Sequence, residues 1–304
     1  MRLPSSRKGP LALLLVVAAS SPTLSSPMGR SAGESQAPPS AAGVAEPQVL
    51  TYRRVGVRPL KAYVFLPKAS GKDRAAVLLF HGGGWRLGEP AWLFDRAREF
   101  AGRGMVAISV EYRLSNDGLS PIDAVEDACA AFAWAREQAV RFGIDPRRVA
   151  GYGVSAGGHL VAAAATLPSV SGRTIGSSER PNALLTLSPA LDMARNEYFM
   201  ELMAGKGDPA RYSPAEFVSR TLPPTLIIQG EEDTIVLARD ARSFCAAAEK
   251  AGAKCQLQVY PGVGHLLTRN LKVQYKDFDS DPAFGADAHR REDAFLVSLG
   301  YVLQ

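Results

Sequence analysis

From residue 76 onward, short, largely apolar runs alternate with helix-patterned segments. That alternation restricts the fold more than any other feature of the 304 residues. The runs are Ala76–Phe80, Met105–Val110, Val149–Tyr152, Ala183–Leu187, Leu226–Ile228 and Leu257–Tyr260. A strand with one wet face alternates apolar and polar residues, whereas a continuous run fits a strand covered on both faces of a parallel sheet. Length and β-branched content favour strands over helix fragments, a distinction that periodicity alone does not make. Between the runs, Ile122, Val125, Cys129 and Phe132 recur at spacings of three, four and three, the single apolar stripe of a surface helix. Residues 238–251 read as an alanine-rich helix stopped at Gly252, and a last helix is expected over about 289–299. Ahead of the first run, residues 50–57 and 60–66 read as two strands split at Arg58-Pro59. Strand–helix alternation of this kind predicts an open, mostly parallel α/β sheet with helices on both faces.

Composition matters chiefly at the N-terminus. With 46% apolar and 21% charged residues the chain is ordinary for a globular protein, which excludes collagenous and wholly disordered classes. No apolar run reaches the roughly 20 residues of a membrane-spanning helix, so a multi-pass membrane protein is excluded. Arg2, Arg7 and Lys8 precede the apolar stretch Leu11–Ala19, and small residues follow it. Basic, apolar and small-residue segments in that order predict a cleaved secretory signal peptide over residues 1–20 rather than an uncleaved anchor. No cysteine stands near the cleavage region to support a lipid anchor. Residues 21–48 read as a disordered linker: sixteen of the 23 residues from Ser26 to Gln48 are Ser, Pro, Ala or Gly, too little apolar surface to offset ordering. One folded domain is therefore expected over 49–304. Residues 1–20 hold three bases and no acid, so their removal lowers the net charge from +5 to +2. A nearly neutral domain has no electrostatic case for binding nucleic acid or an anionic membrane surface. The expected location is outside the cytoplasm, secreted or periplasmic.

The strongest chemical signal is Gly153-Val154-Ser155-Ala156-Gly157, directly after a predicted strand and before the helical run from His159 to Ala165. In that setting the pattern places a serine on a strained strand-to-helix turn, with small neighbours that let strand and helix pack around it. The second signal is His81-Gly82-Gly83-Gly84-Trp85 after the run Ala76–Phe80. Three consecutive glycines leave backbone N–H groups unshielded and able to serve a developing oxyanion. A phosphate loop would instead continue with Lys and Ser or Thr, and Trp85-Arg86-Leu87 follows here.

With Glu111-Tyr112-Arg113-Leu114, Gly230-Glu231-Glu232-Asp233 and Gly264-His265, these motifs make the chain resemble the α/β-hydrolase superfamily. More narrowly it is similar to the hormone-sensitive-lipase branch and its bacterial relatives, among them acetylxylan- and feruloyl-esterase-like carboxylesterases. The resemblance runs from residue 81 to residue 265. It implies an α/β-hydrolase fold, with Ser155 as nucleophile and the N–H groups of Gly83, Gly84 and Ala156 as oxyanion hole.

A serine nucleophile needs a base and a group that orients the base. Of the four histidines, His81 opens the glycine loop, His159 lies inside the helix after Ser155, and His289 sits among Arg290, Arg291 and Glu292, read as a solvated face. His265 follows the strand Leu257–Tyr260 through a Pro-Gly-Val-Gly loop and is the base. Asp233 follows the strand Leu226–Ile228 and is the orienting acid, with Glu232 as runner-up; the order Ser155, Asp233, His265 fits the fold. Asp192 reads as structural or as a pocket wall, and Arg113 with Asp127 as a scaffold pair. The expected activity is hydrolysis of short-chain acyl esters through an acyl-enzyme, with acetyl or feruloyl groups on carbohydrate among the substrates and no cofactor or metal. Only about 30 residues separate Asp192 from the next strand, so no large cap domain is expected. A lipase or peptidase of the same superfamily is the alternative, and a non-catalytic binding module the remote one. The segment 266–288, with Tyr275, Phe278 and Phe284, either borders the pocket or packs the last helix.

Of the three cysteines, Cys129 falls on the apolar stripe, while Cys245 and Cys255 flank the turn at Gly252. Seven residues of helix rise roughly 10 Å and three of strand return about 10 Å, so the pair sits at similar height. A layer gap near 10 Å is wider than a disulfide spans. A bridge is expected only if edge geometry closes that gap. As for export, protein secreted by its native host should lack roughly the first 20 to 26 residues by intact mass; a full-length cytoplasmic product would refute the signal peptide.

Overall fold

The computed structural model describes residues 46–116, 118–203 and 205–302. The signal segment 1–20 and all but the end of the 21–48 linker lie outside the described residues. The sheet starts at Gln48, one residue ahead of the expected domain boundary.

Eight strands form one sheet in the order β1-β2-β4-β3-β5-β8-β9-β10. The opening hairpin is β1 (Gln48–Val55) and β2 (Arg58–Phe65), followed by β3 (Arg74–Phe80), β4 (Val106–Val110) and β5 (Ile144–Val154). A two-stranded ribbon, β6 (Ser169–Val170) with β7 (Arg173–Thr174), stands apart, and β8 (Ala183–Leu187), β9 (Thr225–Gly230) and β10 (Cys255–Tyr260) complete the sheet. Pairings β1–β2 and β2–β4 are antiparallel and every other pairing in the sheet is parallel. All six runs lie in strands that take part in parallel pairings, although β4 also pairs antiparallel with β2 and the edge strand β10 is only half-buried. The hairpin turns at Gly56-Val57, not at Arg58-Pro59. Pro59 sits inside β2 opposite Arg54, and β4 joins β2 only from Ala62 onward, so the missing N–H lies outside that second ladder.

Among the described residues, seven helices accompany the sheet: α1 (Phe94–Gly102), α2 (Pro121–Glu137), α3 (Ala139–Phe142), α4 (Ala156–Thr166), α5 (Glu197–Met203), α6 (Ala238–Lys250) and α7 (Pro282–Ser298). Successive side chains of a strand point to opposite faces, and β3 shows the consequence. Leu78 and Phe80 pack in one core with Phe132 of α2, Val161 of α4 and Phe244 of α6. Val77 and Leu79 pack in the other with Phe100 of α1 and Phe295 of α7.

Three features differ from the sequence reading. First, α2 is buried well beyond one stripe, because α4 and the edge hairpin flank it; Ala124, Asp127, Ala131 and Trp134 are buried beside the four stripe residues. Second, α7 begins at Pro282, where Asp281 caps it by accepting from the N–H groups of Ala283 and Phe284. The Asp-Pro start is a standard N-terminal signal, and it places the end of the 266–288 segment in the helix. Third, Glu292 is not on a solvated face. It is 2% exposed and pairs with Arg96 of α1, while burial raises its carboxyl above the usual range.

Cys245 and Cys255 form a disulfide with Cα atoms 5.2 Å apart. The layer gap closes because Cys255 opens β10, the edge strand, where the end of α6 comes down beside it. Cys129 is free and buried, its thiol pushed up to about 12 by desolvation. Reducing the bridge, or replacing both cysteines by alanine, should lower the unfolding free energy by about 2–3 kcal/mol for a loop this short. Chemical denaturation with and without reductant measures it.

Candidate active site

Ser155 lies between β5 and α4 with φ 52° and ψ −114°. A β-carbon residue in that region carries strain of about 1–3 kcal/mol, so the surroundings must impose it. They do. Ser155 N–H donates to the Leu187 carbonyl at 2.9 Å, and its own carbonyl accepts from the N–H groups of His159 and Ala190. A Cβ on Gly157 would overlap the Phe80 carbonyl oxygen, so α4 starts hard against the end of β3.

Three turns at the carboxyl ends of parallel strands bring Ser155, Asp233 and His265 together. His265 Nε2 lies 3.0 Å from Ser155 Oγ, and Nδ1 lies 2.8 Å from Asp233 Oδ2. All three residues are buried. Asp233 Oδ1 accepts from the N–H groups of Ile235 and Val236, and Oδ2 also accepts from Gln229 Nε2 at 2.9 Å. Four hydrogen bonds therefore fix the carboxylate. Glu232, the other candidate acid, is exposed, with its carbonyl and N–H engaged in backbone bonds. Gln229, one strand residue ahead of the Gly230 turn, and Gln274 of the long loop were not singled out from the sequence. An amide has no motif of its own and gains meaning only from what it touches.

The glycine loop follows β3. Gly83, Gly84 and Trp85 have φ of 109°, 58° and 59°, a tight reversal that glycine allows at the first two positions. Gly82 lies close enough to Ser155 that a Cβ there would sit 3.3 Å from the serine Cβ. Among the described residues, the N–H groups of Gly83, Gly84 and Ala156 donate to no backbone acceptor. His81 anchors the start of the loop: its ring stacks on Tyr112 at 4.4 Å, and Tyr112 donates its hydroxyl proton to the His81 carbonyl at 2.8 Å. Ser115 N–H donates to the Trp85 carbonyl, tying the loop to the segment after β4. That segment is anchored in turn by Arg113, whose N–H and Nε both donate to Asp127 Oδ2, with Arg53 on Oδ1. Arg113 and Asp127 thus form the scaffold pair.

One turn of α4 past Ser155, His159 lies in an aromatic cluster. Trp85 Nε1 donates to His159 Nδ1 at 3.2 Å, His159 Nε2 donates to the Tyr212 carbonyl at 2.8 Å, and Phe199 of α5 packs edge-on against both rings. His159 is therefore a neutral core histidine. Asp192 lines a cleft of about 400 Å³ beside the acid turn, with Arg195, Asn196, Ile235, Arg239 and Asp240. Among the described residues, the chain between Asp192 and β9 holds only α5 and short 3₁₀ turns, and no large cap.

A family profile described as alpha/beta hydrolase fold matches residues 77–269. The chain is 30% identical to a thermophilic esterase from the planctomycete Thermogutta terrifontis, with a TM-score of 0.75, covering 88% of this chain and 96% of that one. That protein has also been captured with propionate, with butyrate, and phosphorylated by paraoxon. A probable isoprenylcysteine alpha-carbonyl methylesterase of Arabidopsis thaliana is 27% identical over 78% of this chain, and the esterase LipC of Mycobacterium tuberculosis is 31% identical over 63%. In each case the match spans 53% of the relative, so the chain spans about half the length of the curated relatives it matches.

Burial lowers both His81 and His159 to about 4. In the unfolded chain each takes up its proton near 6.5, so the unfolded state binds more protons between those values. The stability these neutral rings provide is complete above pH 6.5 and is lost as pH falls toward 4, by on the order of 3 kcal/mol for each histidine. Urea midpoints at pH 7 and pH 4 should show the loss, and His159→Gln should reduce it.

Proposed function

Since the chain belongs to the α/β-hydrolase fold family, we propose that it is a serine carboxylic-ester hydrolase acting through an acyl-enzyme on Ser155. The observation that carries this reading is the unbroken chain of hydrogen bonds from Ser155 through His265 to Asp233, beside three backbone N–H groups without a backbone acceptor. With Nδ1–H donated to Asp233, the neutral imidazole keeps its Nε2 lone pair toward Oγ. Nε2 takes the hydroxyl proton as Oγ attacks the ester carbonyl carbon. The N–H groups of Gly83, Gly84 and Ala156 meet the charge on the carbonyl oxygen, each donor worth roughly 3–4 kcal/mol in the transition state. The imidazolium then protonates the leaving alkoxide and the alcohol departs. Water, deprotonated by His265, attacks the acyl carbon, and Oγ recovers its proton as the acid leaves.

The substrate reading is a short acyl group, acetyl to about butyryl, on a bulky alcohol, with acetylated or feruloylated carbohydrate as the natural polymer class. Three things support it. Bulky rings of Trp85, His159 and Phe199 pack together one turn of α4 past the serine, the similar thermophilic esterase has been captured with propionate and with butyrate bound, and the cleft at Asp192, Arg195 and Arg239 offers hydrogen-bonding groups to a hydroxyl-rich leaving group. Export, read from residues 1–20, places polymers outside the cytoplasm within reach.

Ser155→Ala should abolish ester hydrolysis, and an organophosphonate should label Ser155 in the unsubstituted protein. Asp233→Asn should lower kcat about 10⁴-fold, with Glu232→Gln close to unchanged; the reverse ranking would identify the wrong carboxylate. For substrate size, kcat/KM is compared for acetyl and decanoyl esters of one alcohol, then acetate release from acetylated xylan. Strong preference for decanoyl, with no acetate from the polymer, would make the protein a lipase.

A further inference from the structure

The segment after His265 reaches back to the turn that carries Asp233. Parallel pairing of β9 with β10 ends at Gly230 and Tyr260. Two further backbone bonds, from Glu231 N–H to the Tyr260 carbonyl at 2.8 Å and from Glu232 N–H to the Val263 carbonyl at 3.0 Å, continue it and stop short of Asp233 and His265. Beyond that point Gln274 takes over. Its Oε1 accepts from Thr234 N–H at 3.0 Å and from His265 N–H at 2.9 Å, and its Nε2 donates to the Glu232 carbonyl at 2.7 Å. One amide therefore holds the residue on each side of Asp233 together with the backbone of His265. Both lone pairs of its oxygen are used, and the side chain is 3% exposed.

We propose that Gln274 is a positioning residue that sets the spacing of the acid and base turns and thereby the alignment of Asp233, His265 and Ser155. The proposal rests on the catalytic reading of those three residues. Two further observations support it. A Cβ on Gly264 would overlap the Gln274 amide; with φ at −101°, Gly264 is called for by space, not by handedness. The loop that carries Gln274 is also stiffly built: Arg269 makes paired bonds to Asp279, Thr268 Oγ1 donates to the Asp277 carbonyl, and Asn270 Nδ2 donates to the Asp277 carboxylate. The polar residues of the segment thus hold the staple in place. Leu266 and Leu267, both at positive φ, connect the staple to the base, with Leu266 N–H donating to Ser188 Oγ. A misplacement of about 1 Å in a reacting group can cost on the order of 100-fold in rate, so the spacing held by one amide reaches kcat directly.

The test uses Gln274→Met, which keeps most of the volume and deletes the three bonds to the acid and base turns along with a longer one from Nε2 to the Leu271 carbonyl at 3.4 Å, with exposed Lys272→Ala on the same loop as control. Active serines are titrated with paraoxon, and kcat and KM for a short acyl ester are expressed per titrated serine. Gln274→Met should lower kcat ten- to a hundredfold with KM within threefold, and should slow phosphorylation of Ser155 by a similar factor. Gly264→Ala, which presses on the amide without deleting it, should lower kcat in the same way. In a Gln274→Ala background the added Gly264→Ala should cost less than twofold more. If Gln274→Met lowers Tm while kcat per titrated serine stays within twofold, or if the two positions act additively, the proposal is overturned. Unsubstituted protein that neither hydrolyses esters nor is phosphorylated at Ser155 would overturn the catalytic reading instead.

Discussion

Ser155 keeps its hydroxyl clear of the sheet because the backbone around it has no room to relax. Its φ of 52° would revert to an ordinary strand or helix value if α4 could move away from β3 and β5. The absence of side chains at Gly153 and Gly157 prevents that, since each position lies against backbone atoms of the neighbouring segment. The strain is held by backbone bonds to Leu187, His159 and Ala190 and by close packing of α4 on the sheet, so the placement of Ser155 depends on the cores as well as on its own contacts. The glycine loop depends on the same packing, because β3 ends where α4 begins.

Buried charge serves the same end. Asp127 is 0% exposed, and burial raises its carboxyl above the ordinary range against the pull of Arg113 and Arg53. Such a pair contributes little net stability compared with apolar residues of equal volume. Its geometric role is larger: Arg113 follows Tyr112, Tyr112 holds the carbonyl of His81, and His81 opens the oxyanion loop. On the other face, Arg96 with Glu292 ties α7 to α1. The first network locks α2 to the segment that holds the glycine loop, and the second locks one helix to another.

Much of this was legible from residues alone. The apolar runs reported strands covered on both faces, which holds for the central strands, while the run in β10 lies at the half-buried edge. The motifs at 81–85 and 153–157 carry their context with them, because a glycine run after a strand and a serine between strand and helix each have few structural uses. Elsewhere the sequence was misread or silent. Glu292 stands among charged neighbours, and only the packing of α7 on α1 buries it. The start of α7 was missed although Asp281-Pro282 announces it, because the aromatic segment around it drew a different reading.

By itself the sequence determined the order of strands and helices, the two glycine-dependent turns, and which serine, histidine and carboxylate could meet at the carboxyl ends of the strands. These properties are local, set by backbone permissiveness and by apolar runs that read the same in any context. Tertiary structure alone decided that Cys245 reaches Cys255, since the closeness of α6 to an edge strand depends on sheet order. It also decided that Gln229 and Gln274 grip the acid and base turns. An amide side chain can donate and accept almost anywhere, so its partners are chosen by the approach of segments distant in sequence, here residues 232–234 and 265 around 274.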